Sequence, residues 1–95
     1  MVEATFDYKM IREQIEYYMS DSNLVRDKFF RDQIESNKDG WVSIPVFLNC
    51  NKVKAMNIRS EQIVAAIMDG PSVYLELSID KKRLRRIGNP KLPEQ

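Results

Sequence analysis

The residues from Gln14 to Phe30 hold the side chains best suited to chemistry. They read Gln-Ile-Glu-Tyr-Tyr-Met-Ser-Asp-Ser-Asn-Leu-Val-Arg-Asp-Lys-Phe-Phe. Amides, paired tyrosines, paired phenylalanines and Asp27 are packed into a helix, a polar break and the start of another helix. A hydrophobic core does not need that density of rings and hydrogen-bonding groups. A pocket that stacks a single-stranded base and grips a ribose hydroxyl does. Neighbours on a helix point about 100° apart. Tyr17 and Tyr18 therefore diverge, with Tyr18 on the apolar stripe and Tyr17 off it. Phe29 and Phe30 diverge too, and Phe30 shares a core face with Ile34. Gln14 precedes Tyr17 by three residues and Tyr18 by four, so it can neighbour both.

The elements that must position these groups are legible in the spacing. Thr5 or Asp7 caps a first helix reaching about Met19, with Ile11, Ile15, Tyr18 and Met19 on one face. Ser20-Asp21-Ser22-Asn23 ends it, and Ser22 or Asn23 starts a second helix running to about Ser36. Lys38-Asp39-Gly40 turns the chain. Trp41-Val42-Ser43 is a short extended piece, with Trp41 expected in the core. Pro45 suits the first turn of a short helix through Leu48, and another follows around Lys52 to Ala55. A clearer helix opens at Ser60 and carries Ile63, Ala66 and Ile67 to a stop at Gly70-Pro71. Val73, Leu75, Leu77 and Ile79 alternate with polar positions as a half-buried strand does. Asp80-Lys81-Lys82 turns, and Arg83 to Ile87 returns. Helices first, a hairpin last and a short strand beside it describe an α+β winged helix with extra N-terminal helices and a small antiparallel sheet. An unrelated α+β domain is the competing reading. The domain is expected over residues 5–89, with 90–95 a loose tail or the start of a linker.

Bulk composition narrows the function. Ninety-five residues, 43% hydrophobic and 31% charged, make one small globular domain. No apolar run approaches the length that crosses a bilayer, and the first ten residues carry Glu3 and Asp7 without the apolar stretch of a signal peptide. The single cysteine, Cys50, excludes an internal disulfide. Histidine is absent, so neither a Cys–His nucleophile pair nor a zinc site can be assembled. No enzyme, metal or cofactor is expected. Net charge is +1, with six basic and no acidic residues from Lys81 to Lys91 and acids near the beginning. Any nucleic-acid contact should therefore be local and use few phosphates.

Several separated blocks together resemble the La motif of the La and La-related proteins, nearest its genuine La branch. They are Gln14-Ile15-Glu16-Tyr17-Tyr18, Asn23-Leu24, Arg26-Asp27-Lys28-Phe29, Asp39-Gly40-Trp41-Val42 and Leu84-Arg85-Arg86. The end, through Leu92-Pro93-Glu94, is similar as well. The resemblance implies a winged-helix fold with added helices. It implies recognition of the oligouridylate 3′ end of RNA polymerase III transcripts, with a free 3′-hydroxyl, in the nucleus, with the cytoplasm a further location left open. It implies a following RNA-recognition motif and a monomeric protein that protects or chaperones small RNAs.

The RNA-binding set carried over is Gln14, Tyr17, Tyr18, Met19, Asn23, Asp27, Phe29, Cys50 and Lys52. Asp27 matches an aspartate on the terminal ribose. An ionised carboxylate only accepts hydrogen bonds, and two vicinal hydroxyls offer it two donors. A 3′-phosphate or a continuing chain removes one donor and adds negative charge. The alternative is a surface acid paired with Arg31 one turn on. Gln14 matches a glutamine on a uracil edge, where its amide meets an adjacent acceptor and donor; otherwise it is a surface glutamine. Tyr17 and Tyr18 are base and backbone contacts, or one core and one half-exposed ring. Phe29 matches a stacking ring, or packs against Val25. Asn23 is a helix cap, a ribose or phosphate contact, or both. Arg83, Arg85, Arg86 and Lys91 either steer RNA or form a solvated face.

Three positions depart from the family pattern. Met19 stands where phenylalanine is usual, Cys50 replaces a second stacking aromatic, and Lys52 replaces an arginine. A thiol or thioether overlaps a base less than a ring does, and lysine lacks the planar fork. Weaker grip and relaxed uridine preference are expected. A La-related preference for polyadenylate or structured RNA stays open, as does a winged helix that binds protein. Duplex DNA reading is disfavoured, because Ser60 to Asp69 carries Glu61 and Asp69 and no cation.

Overall fold

The computed structural model describes residues 7–70 and 72–94. Thr5 and Phe6, the first two residues of the expected domain, lie outside them, as do Pro71 and Gln95. Asp7 caps the first helix, its carboxylate accepting the Met10 N–H at 3.0 Å. Helix α1 (Tyr8–Tyr18) buries Ile11 and Ile15, and the stripe continues into Met19. It packs on α6 (Ser60–Asp69), which buries Ile63, Ala66 and Ile67. Arg12 ties the pair by donating to the Ala66 carbonyl at 3.1 Å.

The second helix is not continuous. It divides into α2 (Asp21–Leu24) and α3 (Lys28–Glu35). Ser20 caps α2, with its hydroxyl accepting the Asn23 N–H. Asp27 takes an extended conformation and caps α3 by accepting the Phe30 N–H at 3.0 Å. The carboxylate thus opens a new helix where residue types alone permit one unbroken run. Its consequence is the expected split of the phenylalanines. Phe30 is buried beside Ile34, and Phe29 is 53% exposed. Phe30 lies between Tyr18 and Phe47, stacked at 5.2 Å from each.

Strand β1 (Val42–Ser43) leads into α4 (Ile44–Leu48) and α5 (Asn51–Ala55). After α6 come β2 (Leu75–Leu77) and β3 (Arg83–Arg86). The antiparallel sheet has the order β1-β3-β2, with Leu84 opposite both Val42 and Leu77. With its helices, this small antiparallel sheet makes a winged-helix-like α+β fold.

Two expectations are corrected. The half-buried strand from Val73 to Ile79 shrinks to its middle, and both named ends are exposed. Pairing stops because Ser78 turns the chain. Its hydroxyl donates to Asp80 and accepts the Arg83 N–H. Trp41 is not a core residue. It is half-buried, with the Arg85 guanidinium 4.3 Å and that of Arg83 5.9 Å from its ring centroid. Residues 90–93 contact the rest of the domain. Leu92 packs on the core, Arg31 donates to the Pro93 carbonyl, and Arg86 donates to the carbonyls of Pro90 and Lys91.

Because the Phe30 ring is held between two others, Phe30→Ala should destabilise the fold by about 3–5 kcal/mol. Urea unfolding measures it, and an unchanged midpoint would contradict the packing described.

Candidate nucleic-acid interface

The end of α1, the break between α2 and α3, and the α4–α5 junction meet around one line of aromatic rings. Phe47 and Phe30 form its buried end. Tyr18 continues it half-buried. Phe29 meets Phe30 edge-on at 82°, and Tyr17 lies 6.1 Å from Tyr18. The two outer rings are open to solvent, Phe29 at 53% and Tyr17 at 42%. The fold thus stiffens two exposed rings by packing their neighbours into the core.

Asp27 stands in this crevice, half-buried and fixed by two donors. One carboxylate oxygen accepts the Phe30 N–H at 3.0 Å, and the other accepts the Asn23 Nδ2 at 3.0 Å. Each oxygen has a second acceptor site, so the group can still take further donors. Arg31 does not pair with it but donates to the Leu24 and Pro93 carbonyls. The surface ion-pair alternative for Asp27 is therefore not what the side chain does.

Gln14, Tyr18 and Cys50 share the same neighbourhood. Burial pushes the Tyr18 phenol above its ordinary value; Cys50 and Asp27 add to that, and a Gln14 hydrogen bond opposes it. Burial likewise pushes the Cys50 thiol up, with Asp27 adding to it and the Tyr18 hydrogen bond opposing. Both groups are neutral at physiological pH. Each binds its proton more tightly folded than unfolded. Their contribution to stability is complete below the ordinary thiol and phenol values and declines as pH rises through the raised ones. Cys50 Sγ also contacts the Val46 carbonyl at 3.9 Å, which anchors it just before α5.

Of the nine residues expected at the site, the structure gathers Gln14, Tyr17, Tyr18, Asp27, Phe29 and Cys50. Two others have a different place. Met19 is 2% exposed and belongs to the core, so it supports the crevice from behind and offers no direct contact surface. Asn23 is neither the α2 cap nor an open ligand contact. It is 6% exposed, and its amide spans the Tyr18 carbonyl at 2.8 Å and Asp27. It orients the carboxylate. Lys52 is exposed on α5, and no described contact ties it to the group.

Arg26 was missed by sequence reasoning. Its guanidinium donates to the Tyr17 hydroxyl at 2.8 Å and is otherwise exposed. A cation beside Asp27 on a break between helices was the available signal. Of the basic strand, Arg85 is held by Glu76 and the Asp39 carbonyl, and Arg86 by Asp21 and the tail. Both are framework residues. Clefts of about 700 and 610 Å³ open elsewhere, and of these two only the latter shares residues, Tyr17 and Met19, with the nine expected at the site. Chemistry marks the crevice more strongly than volume does: exposed rings beside a fixed acceptor suit a nucleotide, whereas the 700 Å³ cleft has no aromatic residue in its lining.

The La domain family matches residues 11–69. Over 86 residues the chain is 40% identical to a La protein homolog of Drosophila melanogaster, covering 90% of this chain and 22% of that protein. It is 36% identical over 76 residues to La-related protein 7 of Mus musculus, covering 80% and 13%. The chain thus spans about a fifth or less of the curated relatives it matches. The solved La autoantigen N-terminal domain superposes with a TM-score of 0.82 at 31% identity, over 98% of this chain and 97% of that one.

Two stability and reactivity results test the geometry. Asp27→Ala removes the cap and the Asn23 bridge and should cost about 1–2 kcal/mol in urea unfolding, whereas Asp27→Asn keeps a cap acceptor and should cost less. Equal losses would contradict the cap. Cys50 should react with iodoacetamide at mildly alkaline pH several-fold more slowly in the folded protein than in urea, on the order expected for a buried thiol. Equal rates would contradict its burial.

Proposed function

The chain belongs to the La-domain family of RNA-binding, non-enzymatic modules, and on that premise we propose that it captures the 3′-hydroxyl end of a uridine-rich single strand. Asp27 accepts both hydroxyls of the terminal ribose through the lone pairs left by Phe30 and Asn23. Phe29 and Tyr17 stack on the last bases, and the Gln14 amide reads a uracil edge. Arg26, aligned by the Tyr17 hydroxyl, meets a phosphate. The bound RNAs are polymerase III transcripts with oligouridylate ends, and the site of action is the nucleus. The much greater length of the relatives supports a following RNA-recognition motif that shares the strand.

One observation carries this reading. A carboxylate is held open as an acceptor between two donors, directly beside two solvent-facing rings. A protein-binding patch needs no such acceptor. An enzyme would need a proton-transfer group, and the crevice phenol and thiol are both shifted away from neutral pH.

A second reading concerns selectivity, and Cys50 motivates it. Cys50 brings a half-buried thiol to a position where the family stacks a ring. Fewer stacked bases mean weaker grip and reduced preference for uridine over adenosine.

The test is a nuclear magnetic resonance titration of Tyr17 and Phe29 with oligouridylate, oligoadenylate and 3′-phosphorylated oligouridylate. The unblocked oligouridylate should bind at least about tenfold more tightly than the blocked one, a difference of about 1.4 kcal/mol. Asp27→Asn should abolish that difference. Equal responses to all three strands contradict the reading. Cys50→Phe should tighten oligouridylate binding by about 1 kcal/mol or more, the worth of one added stack. No gain would dismiss the account of weakened selectivity.

A further inference from the structure

A cleft of about 700 Å³ opens away from the aromatic crevice, between the start of α4, the start of α6 and the β2–β3 turn. Its floor is apolar, made by Ile44, Pro45 and Val64. Asp80, Lys81, Lys82 and Arg83 form one rim, and Glu61 stands on the other. Nothing in the RNA reading uses this cleft.

The basic rim is held in place. Ser78 N–H donates to the Arg83 carbonyl at 2.9 Å, and Lys81 N–H donates to the Ser78 carbonyl at 2.9 Å. Asp80 accepts the Ser78 hydroxyl at 2.6 Å and the Lys82 N–H at 3.1 Å. The Ile44 N–H donates to the Lys82 carbonyl at 3.0 Å, which joins the turn to the cleft floor. The Asp80 carboxylate thus serves the turn itself. Among the described residues, Lys81, Lys82 and Arg83 enter no ion pair. The turn backbone is thus fixed beside the apolar floor, and it carries three cations against the single carboxylate of Asp80.

We propose that this cleft docks an acidic peptide segment of a partner protein, with one apolar side chain on the Ile44–Pro45–Val64 floor and its carboxylates against Lys81, Lys82 and Arg83. Charge complementarity selects an acidic partner. The floor selects a peptide over nucleic acid. It has no ring on which a base could stack. A duplex laid along α6 would bring phosphates onto Glu61 and Asp69, with no lysine or arginine in Ser60–Asp69 to receive them. A peptide avoids that conflict, because its acids stay on the turn side while its apolar anchor enters the floor.

The test is fluorescence anisotropy of the full chain with a short labelled peptide, a leucine flanked on both sides by aspartate and glutamate. Binding should be saturable and weaken with added salt. Backbone resonances of Ser43, Val64 and Lys81 to Arg83 should shift, while those of Tyr17 and Phe29 stay in place. Joint Lys81→Glu and Lys82→Glu substitution, at exposed turn positions, should weaken binding about tenfold. Replacing the peptide leucine by serine should weaken it comparably. Oligouridylate binding should survive the double substitution, which separates failure here from failure of the crevice reading. The proposal is overturned by absent binding, by indifference to the leucine, or by an RNA duplex that displaces the peptide and shifts the same resonances.

Discussion

The Asp27 carboxylate couples the fold to the site. By accepting the Phe30 N–H it starts α3 at Lys28 and sends consecutive phenylalanine rings to opposite sides. Phe30 enters the stack with Tyr18 and Phe47, and Phe29 is left facing water. The same carboxylate is held from its other oxygen by Asn23, whose amide also grips the end of α1 through the Tyr18 carbonyl. A single acceptor therefore fixes a helix boundary, the exposed ring beside it and its own orientation. A ligand donor arriving there meets a group already ordered, so little side-chain freedom remains to be lost.

This arrangement also divides the molecule. Winged helices commonly meet duplexes with the helix equivalent to α6 and its neighbouring turn. Here α6 presents acids and buried aliphatics, and its cationic neighbour Arg59 precedes the helix. The end of α1, the α2–α3 break and the α4–α5 junction build the nucleotide-suited crevice away from that helix's start. The strand arginines that look like a phosphate track are spent on Trp41, Glu76, Asp21 and the tail carbonyls. The Lys81–Arg83 corner, in contrast, enters no ion pair among the described residues and borders a cleft.

Much of this was legible from residue order. The Ile11–Ile15–Met19 stripe, the α6 stripe and the diverging phenylalanines follow from spacing, and Asp7 is one of the two caps residue types allow. The site set came from the resemblance, since no periodicity separates a stacking ring from a packing one. What escaped has physical causes. Residues 22–36 are all compatible with one helix, and the break depends on where a carboxylate turns, which helix periodicity does not encode. The Met19 side chain fits a ligand list and a core equally well until its neighbours are placed. Asn23 shows a hydrogen-bonding amide in sequence but not that both its partners are internal. Alternation from Val73 to Ile79 outruns the pairing because β3 offers only four residues and Ser78 turns the chain first. Trp41 and its arginines meet across strand and loop, a contact no local pattern announces.

The central claim is that Asp27 reads the unblocked ribose at the end of an RNA strand. The Asp27 side-chain carboxyl carbon can be followed directly by nuclear magnetic resonance. Titration is made with oligouridylates ending in a full ribose, a 2′-deoxyribose or a 3′-deoxyribose. The account predicts a large shift at saturation with the full ribose and a markedly smaller one with either deoxy end. The same shift with all three strands, or none with any while binding proceeds, would contradict it.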